Sequence, residues 1–177
     1  MRSCRNSLRP SVSAAAMSLR LRCAPRLGIA VAVFALAMPA SAACLGETPL
    51  AAAQAWFRDH YSFWNDPPEV LRETFAPPLL GLLQREQACS EAEGLCAIDA
   101  DPWLDAQDGE ARDPEYFAEG ANEVRLRYRF VLTEDMPARA RELRLHFSGA
   151  GRCWRAADLI GPDGQSLRTT LARYHGR

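Results

Sequence analysis

After Gly120 the apolar residues of the chain stop recurring every three to four positions and begin to alternate, and no other feature limits the fold as strongly. Upstream, Leu50, Ala53, Phe57, Tyr61 and Trp64 lie at helical spacing behind Pro49, so an amphipathic helix is expected over 49–64. The Pro67-Pro68 pair breaks the chain; a short helix over 69–75 and another over 78–88, with Leu79, Leu82 and Leu83 inward, are expected next. The stretch 99–120 carries Pro102, Gly109, Pro114 and Gly120 and reads as irregular, folded down through Trp103, Leu104, Tyr116 and Phe117. Downstream, Val124, Leu126, Tyr128 and Phe130 alternate with Arg125, Arg127 and Arg129, which predicts a half-buried strand. A turn over 133–138 leads to a second strand with Leu143, Leu145 and Phe147 inward and Glu142, Arg144 and His146 outward. Gly149-Ala150-Gly151 returns the chain into a third strand over 152–160, and 166–174 reads as a terminal helix. Helices followed by an antiparallel meander, without alternating βα units, define an α+β domain.

The N-terminus reads as a targeting segment over 1–43. Arg20, Arg22 and Arg26 precede an apolar run over 27–38, and Ala40-Ser41-Ala42 supplies small residues at the cleavage positions. Residues 1–16 add nothing to this pattern, and Met17 serves as well for a start. The apolar run is shorter than the ~20 residues that span a bilayer, so no integral membrane segment is expected. The remaining 44–177 is long enough for one domain, in the periplasm or secreted.

Cysteine usage agrees with export. The mature chain keeps an even set, Cys44, Cys89, Cys96 and Cys153, which allows three connectivities. Pairing Cys89 with Cys96 closes a short polar loop and leaves Cys44 for Cys153, the arrangement favoured here. The rival is a lipid-anchored Cys44, for which Ser41-Ala42-Ala43-Cys44 offers an imperfect cleavage box; it would leave Cys153 unpaired. No zinc-finger spacing occurs, and Trp103 interrupts the calcium-like spacing of Asp99, Asp101, Asp105 and Asp108, so neither metal nor cofactor is expected.

All 21 basic side chains are arginines, set against 22 acids, and six of those arginines lie in the targeting segment, which has no acids. The mature part is therefore acidic, which disfavours nucleic acid and anionic lipid as partners. The charge is also segregated: 47–123 is strongly acidic and 124–177 strongly basic. Acidic helices lying beside basic strands would neutralise one another.

The run Asp101-Pro102-Trp103-Leu104-Asp105-Ala106-Gln107-Asp108, then Trp154-Arg155-Ala156-Ala157-Asp158-Leu159-Ile160 and Ser166-Leu167-Arg168-Thr169-Thr170-Leu171, resembles a family of exported bacterial domains of unknown function. That family belongs to the nuclear-transport-factor-2-like, or ketosteroid-isomerase-like, superfamily, and the resemblance spans 49–175. It implies helices packed into the concave side of a curved antiparallel sheet, forming a cone with a pocket. It implies no activity, because such folds host many functions.

Two sets of residues are candidates for function. Arg125, Arg127 and Arg129, joined across the hairpin by Arg144 and His146, form a cationic stripe able to dock an acidic partner, or else a solvated outer face. His60, Asp105 and Asp158 are candidate acid–base groups: His60 follows Phe57 by nearly one helical turn, and Asp158 shares strand parity with Trp154, Ala156 and Ile160. Their alternative roles are a boundary histidine and, for Asp158, a strand-end carboxylate hydrogen-bonded to the turn from Gly161 to Ser166. The expected function is that of a non-enzymatic binding or interaction domain with an unknown protein partner in the cell envelope, either immunity-like or an envelope accessory protein, with a homodimer left open. The alternative is a small pocket enzyme of isomerase or dehydratase type using His60 and an aspartate.

Overall fold

The computed structural model describes residues 44–176. The targeting segment, its cleavage site and the start at Met17 lie outside the described residues.

The element order is α1 (Pro49–Asp59), a 3₁₀ turn (Phe63–Asn65), α2 (Pro68–Thr74), α3 (Pro77–Glu93), β1 (Glu110–Ala118), β2 (Glu123–Val131), β3 (Arg139–Ala150), β4 (Cys153–Ile160) and α4 (Leu167–His175). The strands form one antiparallel sheet in the order β1-β2-β3-β4, so the domain is α+β with an open four-stranded sheet. Val124, Leu126, Tyr128 and Phe130 of β2 and Leu143, Leu145 and Phe147 of β3 face the helices, where they meet Trp56, Phe63, Phe75, Leu79, Leu83 and Leu171. Trp56 is the hub of this core, with its ring edge-on to Phe63, Phe75, Trp103 and Phe147.

Two expectations need correction. The first helix ends at Asp59, not at 64: the chain leaves helical geometry at His60, whose N–H still caps Trp56 O at 3.0 Å. Phe63 is thereby buried from the following 3₁₀ turn. The stretch 99–120 is also not irregular throughout, because it contains β1, a fourth strand and an edge of the sheet. Its alternation was masked by Asp113-Pro114, which sits at a register shift between Arg112 and Glu115, with Asp113 at φ 53°. Proline lacks a donor, and an edge bulge tolerates that loss where a central strand does not.

The other edge is covered. Leu45 N donates to Trp154 O at 3.1 Å, Trp154 N to Gly46 O at 3.0 Å and Ala76 N to Ala156 O at 2.8 Å, so the free side of β4 is occupied at both positions. Gly46 is required there, since a Cβ would lie 2.5 Å from the backbone N of Ala52. The Cys44–Cys153 disulfide pins this segment, and Cys89–Cys96 closes the end of α3. With Cys44 bonded to Cys153, its sulfur has no free valence for an acyl chain.

Candidate functional site

Among the described residues no helix packs on the outer face of the sheet, and the charges on it are matched by the register. Arg125 donates to Glu119 at 2.5 Å and to Glu142 at 3.5 Å, Arg129 donates from Nε to Asp113 at 2.7 Å, and Arg127 reaches Glu142 at 4.0 Å. Arg144 and His146 lie 3.9 and 3.5 Å from Glu123. The guanidinium carbons of Arg125 and Arg127 also sit 4.9 and 5.4 Å from the centroid of the Phe117 ring. The cationic stripe is therefore part of a mixed lattice whose acids are Asp113 of β1, Glu119 just after it, Glu123 of β2 and Glu142 of β3. The stripe is neutralised within the sheet and its turns and not by the acidic helices expected beside the basic strands.

The structure separates the acid–base candidates from one another. Asp158 is 6% exposed, and its carboxylate accepts from Ser166 Oγ at 2.6 Å, Leu159 N at 2.9 Å and Arg168 N at 3.0 Å. Ser166 Oγ in turn accepts from Thr169 N, so Asp158 and Ser166 together hold the N-terminus of α4. Regular strand parity fails because the register shifts between His146 and Phe147, leaving Asp158 opposite His146 while Ala156 and Leu159 face the core. His60 is bound through Nδ1 to Asp66 Oδ2 at 2.9 Å, with both side chains about one-quarter exposed. Asp66 was not singled out in the sequence; the 3₁₀ turn Phe63–Asn65 returns it six residues later.

Asp105 belongs to a cleft of about 450 Å³ between the 97–105 segment, the end of β4 and α4. Its floor is apolar, from Ile98, Pro102, Leu159 and Leu167. Asp99, Asp101, Asp105 and Asp163 contribute four carboxylates to its lining, against the single guanidinium of Arg173. Burial pushes the Asp105 carboxyl up from its ordinary range, Asp163 pushes it further, and Arg141 offsets part of this. Asp101 is raised as well, chiefly by burial, against hydrogen bonds from Tyr61 and from the backbone of Trp103 and Leu104. Burial, then Asp101, pushes the Tyr61 phenol up, so it stays a donor.

The loop that displays these acids is held from below. Trp103 is fully buried, its Nε1 donates to Tyr61 O at 2.7 Å and its N–H to Asp101 Oδ1 at 2.7 Å. Tyr128 Oη donates to Trp103 O at 2.5 Å, and Arg141 donates to Leu104 O while its guanidinium covers the Phe130 ring at 3.9 Å. Asp105 itself takes a left-handed conformation, φ 47°, after its N–H bonds Asp101 O at 2.8 Å. A display loop fixed by the core keeps its charges in place whether or not a ligand is bound.

Sequence reasoning found Asp105 but not Asp163 or Arg173, which come from the other end of the chain. The one available signal is the Gly161-Pro162-Asp163-Gly164 turn, whose composition marks the end of a strand and carries no sign of a site. Among the described residues the titratable group with metal-ligand proximity is Cys89, Glu93 and Cys96, and its two sulfurs are joined to each other. No family model, curated protein or solved structure matches the chain.

Proposed function

We propose that the protein is an exported binding domain of the nuclear-transport-factor-2-like kind that receives a basic segment of a protein partner in the cell envelope. The observation that carries this is the cleft, whose lining holds four aspartates and one arginine beside Ile98, Pro102, Leu159 and Leu167, on a loop held by Trp103 and Tyr128. A lysine or arginine side chain placed there relieves the mutual repulsion of Asp105 and Asp163 and lays its aliphatic stem on Leu159 and Leu167. The outer stripe is the weaker docking surface, since each of its cations already has an acidic neighbour. Export is supported by the targeting segment and by two disulfides, which persist in oxidising compartments. Helices on one face of an antiparallel sheet fit the cone-shaped superfamily. An immunity-like protein that covers a basic toxin surface and an envelope accessory protein both use such a site.

Titration calorimetry with a short oligoarginine peptide, and with an oligoglutamate control, tests the reading. Oligoarginine is expected to bind in a salt-sensitive manner, to weaken at least tenfold with Asp105→Asn/Asp163→Asn and to be little affected by Arg125→Ser/Arg127→Ser/Arg129→Ser. Preferential binding of oligoglutamate, lost in the triple arginine variant, would move the site to the sheet.

A second reading rests on the His60–Asp66 pair. A carboxylate on Nδ1 fixes the ring as it does for a general base, and Asp66 lines a groove of about 380 Å³ with Trp64, Gln87 and Ser90. Loss of the native phenotype on His60→Ala, with the cleft variant unaffected, favours that enzyme.

A further inference from the structure

Glu86 is a buried carboxylate that the binding reading does not use. It lies in α3 one turn before Cys89 and is 2% exposed. Its Oε1 accepts from Ile98 N at 2.7 Å, its Oε2 accepts from Ala97 N at 3.1 Å, and His175 Nε2 lies 2.6 Å from Oε2. One buried side chain therefore joins α3 to the residues directly after Cys96 and to the last turn of α4. A carboxylate at this depth depends on those partners.

Ala97 and Ile98 present their N–H groups to Glu86 only because the chain doubles back after α3. Gly94, at φ 88°, makes the reversal, and the disulfide between Cys89 and Cys96 closes it, with Cα atoms 6.2 Å apart. The same two residues line the acid cleft on one side, and Thr170 and Arg173 of α4 line it on the other. Both walls are thus referenced to Glu86, and one of them is fixed by a bridge that chemistry can open.

We propose that the Cys89–Cys96 disulfide is a redox-operated latch on α4 and on the cleft, with Glu86 transmitting its state. The agent is an external dithiol. Its thiolate attacks one bridge sulfur, the S–S bond breaks, and the departing cysteine takes up a proton; the second thiol then attacks the mixed disulfide. Two electrons pass to the bridge, leaving two thiols on this chain and a disulfide on the reductant. Residues 91–95 are exposed, Leu95 to 65%, and both cysteines are half-buried, so a dithiol can reach the bridge from the side of this turn. Cys44–Cys153 is clamped by the backbone bonds Leu45 N to Trp154 O and Trp154 N to Gly46 O, which hold its two sulfurs together, whereas Cys89–Cys96 closes an exposed turn, so the short bridge opens first. Once open, 94–98 is free to move away from α3, Glu86 loses its backbone donors, and its hold on His175 weakens. Control of ligand entry rests on the cleft reading above; movement of α4 does not.

Hydrogen exchange read by mass spectrometry separates the two. In the exported protein, opening the short bridge with graded dithiothreitol, verified by thiol labelling of Cys89 and Cys96 alone, is expected to speed exchange at 97–98 and 172–175 at least tenfold. Amides of β2 and β3 should not change. Cys89→Ser/Cys96→Ser should do the same, and Glu86→Gln should reproduce the pattern with both disulfides intact, a variant that serves if the cysteine pair fails to fold. Unchanged exchange at 172–175 after verified opening overturns the latch, as does a uniform rise across sheet and helix alike. Oligoarginine affinity measured on the same samples should fall with opening. Faster exchange of α4 with unchanged affinity supports the latch and overturns the cleft as the binding site.

Discussion

The outer face of the sheet and the cleft beside α4 are both built from charged side chains, and they treat charge in opposite ways. On the sheet, the antiparallel register sets Arg127 between Glu115 and Glu142, and every arginine of β2 has an acid from a neighbouring strand within 4.0 Å. In the cleft, Asp101, Asp105 and Asp163 meet from two separate parts of the chain with Arg173 as the one cationic side chain in the lining; burial raises the carboxyls of Asp101 and Asp105, and Asp163 raises that of Asp105 further. Paired surface charge contributes little to stability and has little left for a partner. Crowded like charge costs the free protein something that a cation returns on binding.

The largest effect expected from separating the two regions lies in what supports them. Trp103→Ala removes the buried ring that carries the acid loop and is expected to cost about 3–5 kcal/mol by urea denaturation. Arg129→Ser, on the sheet face, is expected to cost less than about 1 kcal/mol. A cost for Arg129→Ser comparable to that for Trp103→Ala would mean that the outer lattice, and not the buried support of the acid loop, holds the fold.

A smaller effect sharpens the electrostatic side. Because the Asp105 carboxyl is raised in the folded state, the folded protein holds that proton more tightly than the unfolded chain does. Its contribution favours folding below the ordinary carboxylate range and is lost as pH rises through the folded-state value. Asp105→Asn, which keeps a residue tolerant of the left-handed conformation, should flatten stability against pH above that range and slightly raise the neutral denaturation midpoint. A lowered midpoint, with steeper pH dependence, would show that Asp105 is satisfied and not crowded.

How much of this was legible in the sequence differs between the two regions. The alternation of Val124 to Phe130 with three arginines placed β2 and its outer stripe correctly, because a strand with one buried face writes its period directly into the chain. Of the acids that neutralise that stripe, Glu142 was legible as outward-facing, whereas Asp113 was hidden, since Asp113-Pro114 breaks the period of β1. Asp158 was legible as a residue but not in its orientation, which a bulge between β3 and β4 reverses. The cleft was half legible: the 101–106 turn was visible as acidic, but Asp163 and Arg173 reach it only through the packing of α4 on α3 and β4. Glu86 and His175 carried no signal, being 89 residues apart and ordinary in type.

The most direct test of where this protein presents usable charge is a backbone amide shift map under oligoarginine titration. The predicted result is perturbation concentrated at 97–105, 161–165 and 170–173, with the β2 arginines and their acidic neighbours on β1 and β3 unmoved. Shifts centred on 113–129 and 142–146, with the cleft silent, would contradict it and place the working surface on the sheet.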